Sequence, residues 1–270
     1  MNIKNWIDIR IPWAAATYRL IRDQRKAARW RFSKTPLGFV MIGVPGIAAS
    51  RRDTGEMALL LELLKSADLF VDVGANCGLF TLAARHAGIK CIAIEPNLEN
   101  MNALLANVKE NQFDDIEVFP IALAAKISVL PLFGGGEGAS LTKGWGGMLN
   151  TYSRLVAVNT IDNLILSRFQ GRRLLVKIDV EGNEFDVLNG AVDALRSEPS
   201  PMWLIEHGFK ENFSNGVNPR FYDVFDLFWR NGYRCITADN ARREVAESDV
   251  KRWLANGDRD FGFLNYLFTR

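Results

Sequence analysis

The segment Val71-Asp72-Val73-Gly74-Ala75-Asn76-Cys77-Gly78 constrains the fold more than any other stretch of this chain. The apolar run Leu69–Val73 reads as a short buried strand, and Leu79 to Ala87 reads as a helix. Between them, Gly74 and Gly78 let the backbone turn sharply and come close to a ligand. The alternation continues with a strand at Cys91–Ile94, a helix from Asn97 to Asn111 and a strand at Ile116–Ile121. Strands and helices alternating at this length predict parallel βαβ units and a doubly wound α/β sheet. Right-handed crossovers then bring the C-terminal ends of the strands to one edge.

Further along, Leu174–Ile178 and Met202–Ile205 read as buried strands, with a helix at Glu184–Leu195 between them. A helix at Phe221–Asn231, with Gly232 as its C-cap, precedes closing strands at Tyr233–Thr237 and Phe263–Phe268. Upstream, Glu56–Lys65 reads as a helix and residues 37–49 as short strands or a loop. Residues 127–160 break the rhythm. Strands at Ile127–Phe133 and Leu155–Val158 flank a glycine-dense stretch, Gly134–Gly147, which is either a lid or the loose end of a hairpin. With 270 residues, 48% of them hydrophobic, and no repeat or linker, the expected organisation is one domain over 36–270 behind an extension at 1–35.

That extension is basic. Residues 1–34 carry nine Lys or Arg against Asp8 and Asp23, a net of +7, which leaves −5 for the rest of a chain whose total is +2. A helix from about 14 to 30, with aromatics among the basic residues, would either dock on a membrane surface or partner or pack on the domain. The mildly acidic body argues against nucleic acid as the partner. Cys77, Cys91 and Cys235 are widely spaced and odd in number, which excludes a disulfide scaffold and a cysteine-built zinc site and fits a reducing, cytoplasmic compartment, with the inner membrane surface as the place for a docked arm. No apolar stretch is long enough to span a bilayer.

The glycine turn discriminates among nucleoside ligands. A dinucleotide site needs GxGxxG to seat a pyrophosphate on the helix N-terminus. Here the glycines are spaced GxxxG, and Asp72 would repel a pyrophosphate but suit the cationic amino group of S-adenosylmethionine. Glu95 ends the next strand, 23 residues after Asp72, where an acidic side chain can accept hydrogen bonds from both ribose hydroxyls. The expected cofactor-binding set is Asp72, Gly74, Ala75, Asn76, Gly78, Glu95, Pro96 and Asn97.

Taken together, VDVGANCGLFT, IEPN, the Lys177–Gly182 segment KIDVEG, Glu184 and the Val187–Ala191 segment VLNGA resemble the FkbM family of methyltransferases. Thr160-Ile161-Asp162 and Asn265-Tyr266-Leu267-Phe268 add to the resemblance, which covers roughly residues 36–270. Leu79 stands where the family often has an aromatic residue, and Asn183 where it often has Ala. The resemblance implies a Rossmann-like, mostly parallel sheet of the class I methyltransferase type with an antiparallel final strand. It also implies methyl transfer to a hydroxyl, often of a sugar, glycan, polyketide or other small natural product.

Asp179 and Glu181 should emerge at the C-terminal edge of one strand, and Glu206 and His207 at that of the next. These four are the candidate catalytic residues. His207 or a carboxylate could take the proton of an attacking alcohol, and Asp179 with Glu206, joined by Glu181, could instead hold Mg²⁺ against the acceptor hydroxyl. Two rivals from other classes stay open: a catalytically silent nucleoside-fold scaffold, and an NAD-dependent oxidoreductase, for which GxGxxG is missing.

Overall fold

A computed structural model describes residues 31–42, 55–147, 153–213 and 216–270. The helix expected at 14–30 and the docking arm lie outside the described residues, as does most of 37–49. In chain order the strands are β1 (Ser33–Lys34), β2 (Val40–Met41), β3 (Leu69–Val73), β4 (Lys90–Ile94), β5 (Ile116–Phe119), β6 (Ala122–Leu123), β7 (Ser128–Phe133), β8 (Ser153–Asn159), β9 (Leu174–Ile178), β10 (Met202–Glu206), β11 (Arg234–Thr237) and β12 (Asn265–Thr269). The principal helices are α1 (Glu56–Leu63), α2 (Leu79–His86), α3 (Leu98–Glu110), α4 (Glu184–Asn189), α5 (Phe221–Arg230) and α6 (Glu247–Asn256).

Seven strands form the central sheet in the order β11-β12-β10-β9-β3-β4-β5. The pairs β10–β9, β9–β3, β3–β4 and β4–β5 are parallel, while β12 runs antiparallel to both β10 and β11. This is the doubly wound, mostly parallel sheet with an antiparallel last strand that the sequence predicts. The order reverses at β3, with β4 on one side and β9 on the other, and such a switch point opens a crevice at the strand C-termini.

Both faces of the sheet are covered, so β3 and β9 at its centre are buried at every position. Val71, Val73, Val176, Ile178, Trp203 and Ile205 build the core beneath α4 and α5. Phe70, Leu175 and Leu204 build the opposite one with α1 and α2. Alternation then fixes where the charges go: Asp72 lies level with Lys177 in the β3–β9 register and follows Phe70 onto the α2 face. The β1–β2 hairpin is tied to α3 by its polar residues, with the Val40 and Ile42 amides donating to the Asn111 and Asn107 side chains.

Two expected elements stop early. The strand expected at 116–121 stops at Phe119, because Pro120 has no N–H for the ladder. Ala122–Leu123 then joins β8 and β7 in a separate three-stranded sheet. The helix expected over 184–195 ends at Asn189, and Gly190 packs so close to the Ala124 carbonyl that a Cβ there would sit 2.2 Å from it. The chain turns there into a short 3₁₀ stretch, Ala194–Arg196. Helix α6 is not among the sequence expectations. Among the described residues, no helix is long and apolar enough to cross a membrane.

Candidate active site

The glycine turn takes the strained form that its residue types allow. Gly74 and Gly78 have φ of +84° and +93°, and Asn76 has φ of 51°. A Cβ on Gly74 would come within 1.8 Å of the Asp179 carbonyl, so only glycine lets the loops after β3 and β9 pack backbone to backbone. Over this turn opens a cleft at the C-terminal edge of β3, β4 and β9.

On one side the cleft is lined by Gly74, Ala75, Asn76, Glu95 and Pro96. Glu95 is buried at the end of β4. One carboxylate oxygen accepts the Asn76 amide at 2.8 Å, and the other accepts the Asn97 amide at 2.8 Å and the Asn100 side chain at 3.4 Å. Burial pushes its pKa up to about 7, against the pull of those amides. Carboxylate oxygens hold more lone pairs than these amides use, so Glu95 can still accept from a ligand's hydroxyls. These acceptor oxygens could take the hydroxyls of a nucleoside ribose in the cleft.

Other expected cofactor residues stand outside the wall. Asp72 is 1% exposed and not part of the lining. Its Oδ2 accepts the Thr81 hydroxyl at 2.6 Å, its Oδ1 has no partner, and burial raises its pKa despite the nearby Lys177. Direct contact with a ligand's amino group, as the sequence suggests, does not fit this placement; Asp72 supports the site from below. Gly78 faces Leu104 of α3. Asn97 caps α3 by accepting the Glu99 amide at 3.1 Å.

On the other side stand Asp179, Glu181, Asn183, Ser140 and Leu141. Lys177, which also lines the cleft, is buried with its ammonium 2.9 Å from Asp179 Oδ2 and 4.3 Å from the centre of the Phe80 ring. Glu181 holds the left-handed φ of 55° and accepts the Trp145 indole N–H at 2.7 Å. The glycine-dense stretch therefore covers the cleft rather than dangling. Ser140 donates to the Glu181 carbonyl at 2.6 Å, the Gly146 amide donates to Asn212, and Trp145 meets Phe213 edge-on at 4.9 Å.

Glu206 faces a smaller side pocket that it shares with Asp179, Glu181 and Glu211. His207 is not brought to the cleft. It is 1% exposed, stacks on Phe221 at 5.2 Å and has Nε2 3.3 Å from the Phe221 carbonyl. The base role expected of His207 does not fit this burial, because an acceptor cannot reach the ring. Nor is the expected Mg²⁺ site supported: among the described residues no group of three His, Cys, Asp or Glu side chains is placed to hold a metal, and Asp179 takes the Lys177 ammonium instead.

Sequence reasoning missed Lys177, Trp145 and Asn183. Lys177 had a readable signal, since a lysine inside LLVKI must be buried with a partner, and Asp179 is its i+2 neighbour on the same face. Trp145, by contrast, is brought to Glu181 only by tertiary packing.

The family model described as the methyltransferase FkbM domain matches residues 72–235. No curated protein matches the chain. Among solved structures, a precorrin-6y methyltransferase from Geobacter metallireducens is 9% identical over 78% of this chain and 84% of its own, with a TM-score of 0.42. A SAM-dependent methyltransferase from Agrobacterium tumefaciens is 10% identical over 88% and 69%, with a TM-score of 0.43.

Proposed function

We propose, from the premise that this chain belongs to the methyltransferase FkbM family and is an S-adenosylmethionine-dependent methyltransferase, that it methylates a hydroxyl of a sugar, glycan or small natural product. The observation that carries this reading is the carboxylate of Asp179 in the wall of the same cleft as Glu95 and the glycine turn. When bound, S-adenosylmethionine supplies an electrophilic methyl group on a sulfonium.

The chain's own residues supply the rest. Glu95 would accept the ribose hydroxyls, and the Gly74–Asn76 backbone would border the cofactor. Asp179 takes the proton of the acceptor hydroxyl as its oxygen attacks, and the Lys177 ammonium fixes the orientation of that carboxylate. Glu181, pinned by Trp145, and Glu206 in the side pocket accept hydrogen bonds from the acceptor. The Ser140–Trp145 cover excludes water and holds the acceptor in line, and such positioning can supply ~7–11 kcal/mol of the acceleration. Residues 36–270 act as one catalytic domain in this reading, behind the basic segment at 1–35.

Calorimetry with S-adenosylhomocysteine, followed by labelled methyl transfer to a panel of glycosides and phenols, tests this. Micromolar binding with transfer to oxygen supports it. Folded protein that fails to bind would point to a silent scaffold, and transfer to nitrogen or carbon would refute hydroxyl methylation.

A further inference from the structure

The loop over the cleft is tied to both of its walls. Phe133 and Ser140 exchange backbone hydrogen bonds at 2.8 and 3.1 Å, which closes residues 134–139 into a short loop at the end of β7. On the acceptor side, Ser140 Oγ donates to the Glu181 carbonyl at 2.6 Å. On the cofactor side, the Gly136 carbonyl accepts the side-chain amino groups of Asn97 at 3.1 Å and Asn100 at 3.0 Å, both at the start of α3. Gly136 presents that carbonyl from a left-handed φ of +64°. From β8, Arg154 Nη2 holds the Asn97 side chain by donating to its Oδ1 at 2.6 Å.

Asn100 is the point where this tie meets the cofactor acid. Its Nδ2 lies 3.0 Å from the Gly136 carbonyl and 3.4 Å from Glu95 Oε1, and an amide nitrogen carries two hydrogens, one for each acceptor. Asn100 lines the cleft, whereas Gly136 does not. While Gly136 takes one hydrogen, the side chain is fixed with the other toward Glu95. With the loop displaced, the amide can turn away, and Glu95 loses a donor that favours its ionised form.

We propose that Asn100 is a positioning residue that couples the 134–139 loop to Glu95, so that cofactor binding firms the loop and, through Ser140, the wall that carries Glu181. The inference rests on the placement of the S-adenosylmethionine ribose at Glu95. Coupling of this kind is reciprocal: the factor by which the seated loop raises cofactor affinity is the factor by which the cofactor stabilises the seated loop.

The full-length wild type is compared with Asn100→Leu and Gly136→Val, with S-adenosylhomocysteine as the probe. Asn100→Leu removes the shared donor. Gly136→Val leaves Glu95 and Asn100 in place. Its Cβ would meet no atom within 4 Å, but a β-branched residue does not hold a left-handed φ, so the carbonyl is drawn off Asn100. Each variant should weaken binding about fivefold or more by calorimetry, and the double variant should bind no more weakly than the weaker single one. Amide hydrogen exchange over 133–140 should slow by a similar factor when the probe binds the wild type, and by less than about twofold in either variant. The ionised carboxylate accepts both ribose hydroxyls, so affinity should climb with pH as Glu95 ionises, with a higher midpoint in both variants. Asp72, the other charged group acting on Glu95, and Arg154 beside Asn97 are the same in every variant. Gly136→Val with wild-type affinity and pH midpoint would overturn the coupling, as would equal protection of 133–140 in wild type and Asn100→Leu; either result leaves cofactor binding standing. If Asn100→Leu does not fold, Gly136→Val decides alone. A folded wild type that does not bind S-adenosylhomocysteine overturns this inference and the proposed function together.

Discussion

Glu95 is the residue whose ionisation the fold perturbs in a measurable way. Burial lifts its carboxyl from an ordinary value of 4.5 to about 7. The folded protein without ligand therefore favours the protonated form more than the unfolded chain does. Its contribution to stability is fully present below pH 4.5 and is lost as pH rises through 7. A shift of this size corresponds to roughly 3 kcal/mol, at about 1.4 kcal/mol for each pH unit. Glu95→Gln cannot titrate, so the difference in urea-unfolding free energy between variant and wild type should move in favour of the variant by up to ~3 kcal/mol between pH 5 and 8. A constant offset is expected on top, because the Gln amide would meet the Asn76 or Asn97 N–H donor to donor. If ribose hydroxyls call for the ionised form, S-adenosylhomocysteine binding at pH 7 releases roughly half a proton, read by calorimetry in two buffers of different ionisation enthalpy. Parallel stability profiles for the two proteins, together with no proton release, would refute both the perturbation and the assignment of Glu95 to the ribose.

Three further outcomes are expected. Lys177→Met removes the cation beside Asp179 and next in register to Asp72; it should cost about 3–5 kcal/mol in denaturant unfolding and abolish turnover, and a stable, active variant would show the ion pair to be dispensable. His207→Phe keeps the stack on Phe221 and should leave turnover within severalfold of wild type, whereas a folded variant slowed more than about 100-fold would restore His207 as a base. Trp145→Ala frees Glu181 and loses the edge contact with Phe213. It should speed limited proteolysis within 134–147 and lower stability by about 3 kcal/mol, and unchanged cleavage would mean that the cover does not depend on the indole.

How much of this was legible in the sequence depends on the range over which each feature is determined. The order of strands and helices was legible because burial on both faces makes Leu69–Val73, Leu174–Ile178 and Met202–Ile205 mostly apolar runs, the first two broken only by Asp72 and Lys177. The glycine turn and Glu95 were legible because their roles follow from positions at consecutive strand ends. What failed was set by tertiary contact. Nothing local shows that Gly190 meets the Ala124 carbonyl and ends α4 early. Position at a strand end placed His207 with the candidate carboxylates, but its packing against Phe221 and Phe225 put it in the core instead. Asp72 was drawn under the wall because alternation along β3 turns it toward Thr81 and α2.

The same division separates binding from turnover. Glu95 is set by amides of its own loop and its neighbour, so a chain that keeps the glycine turn and that acidic residue keeps this wall of the cleft. Asp179 is set by Lys177 two residues earlier, and Glu181 by Trp145 across the fold. Of these two partners only Lys177 lies in a recognisable motif. On the reading proposed above, substitution at 145 leaves the sequence signature and the cofactor affinity intact while disarming the acceptor side, so cofactor binding alone is a weaker criterion of activity for such a chain than Lys177 and Trp145 standing beside the two carboxylates.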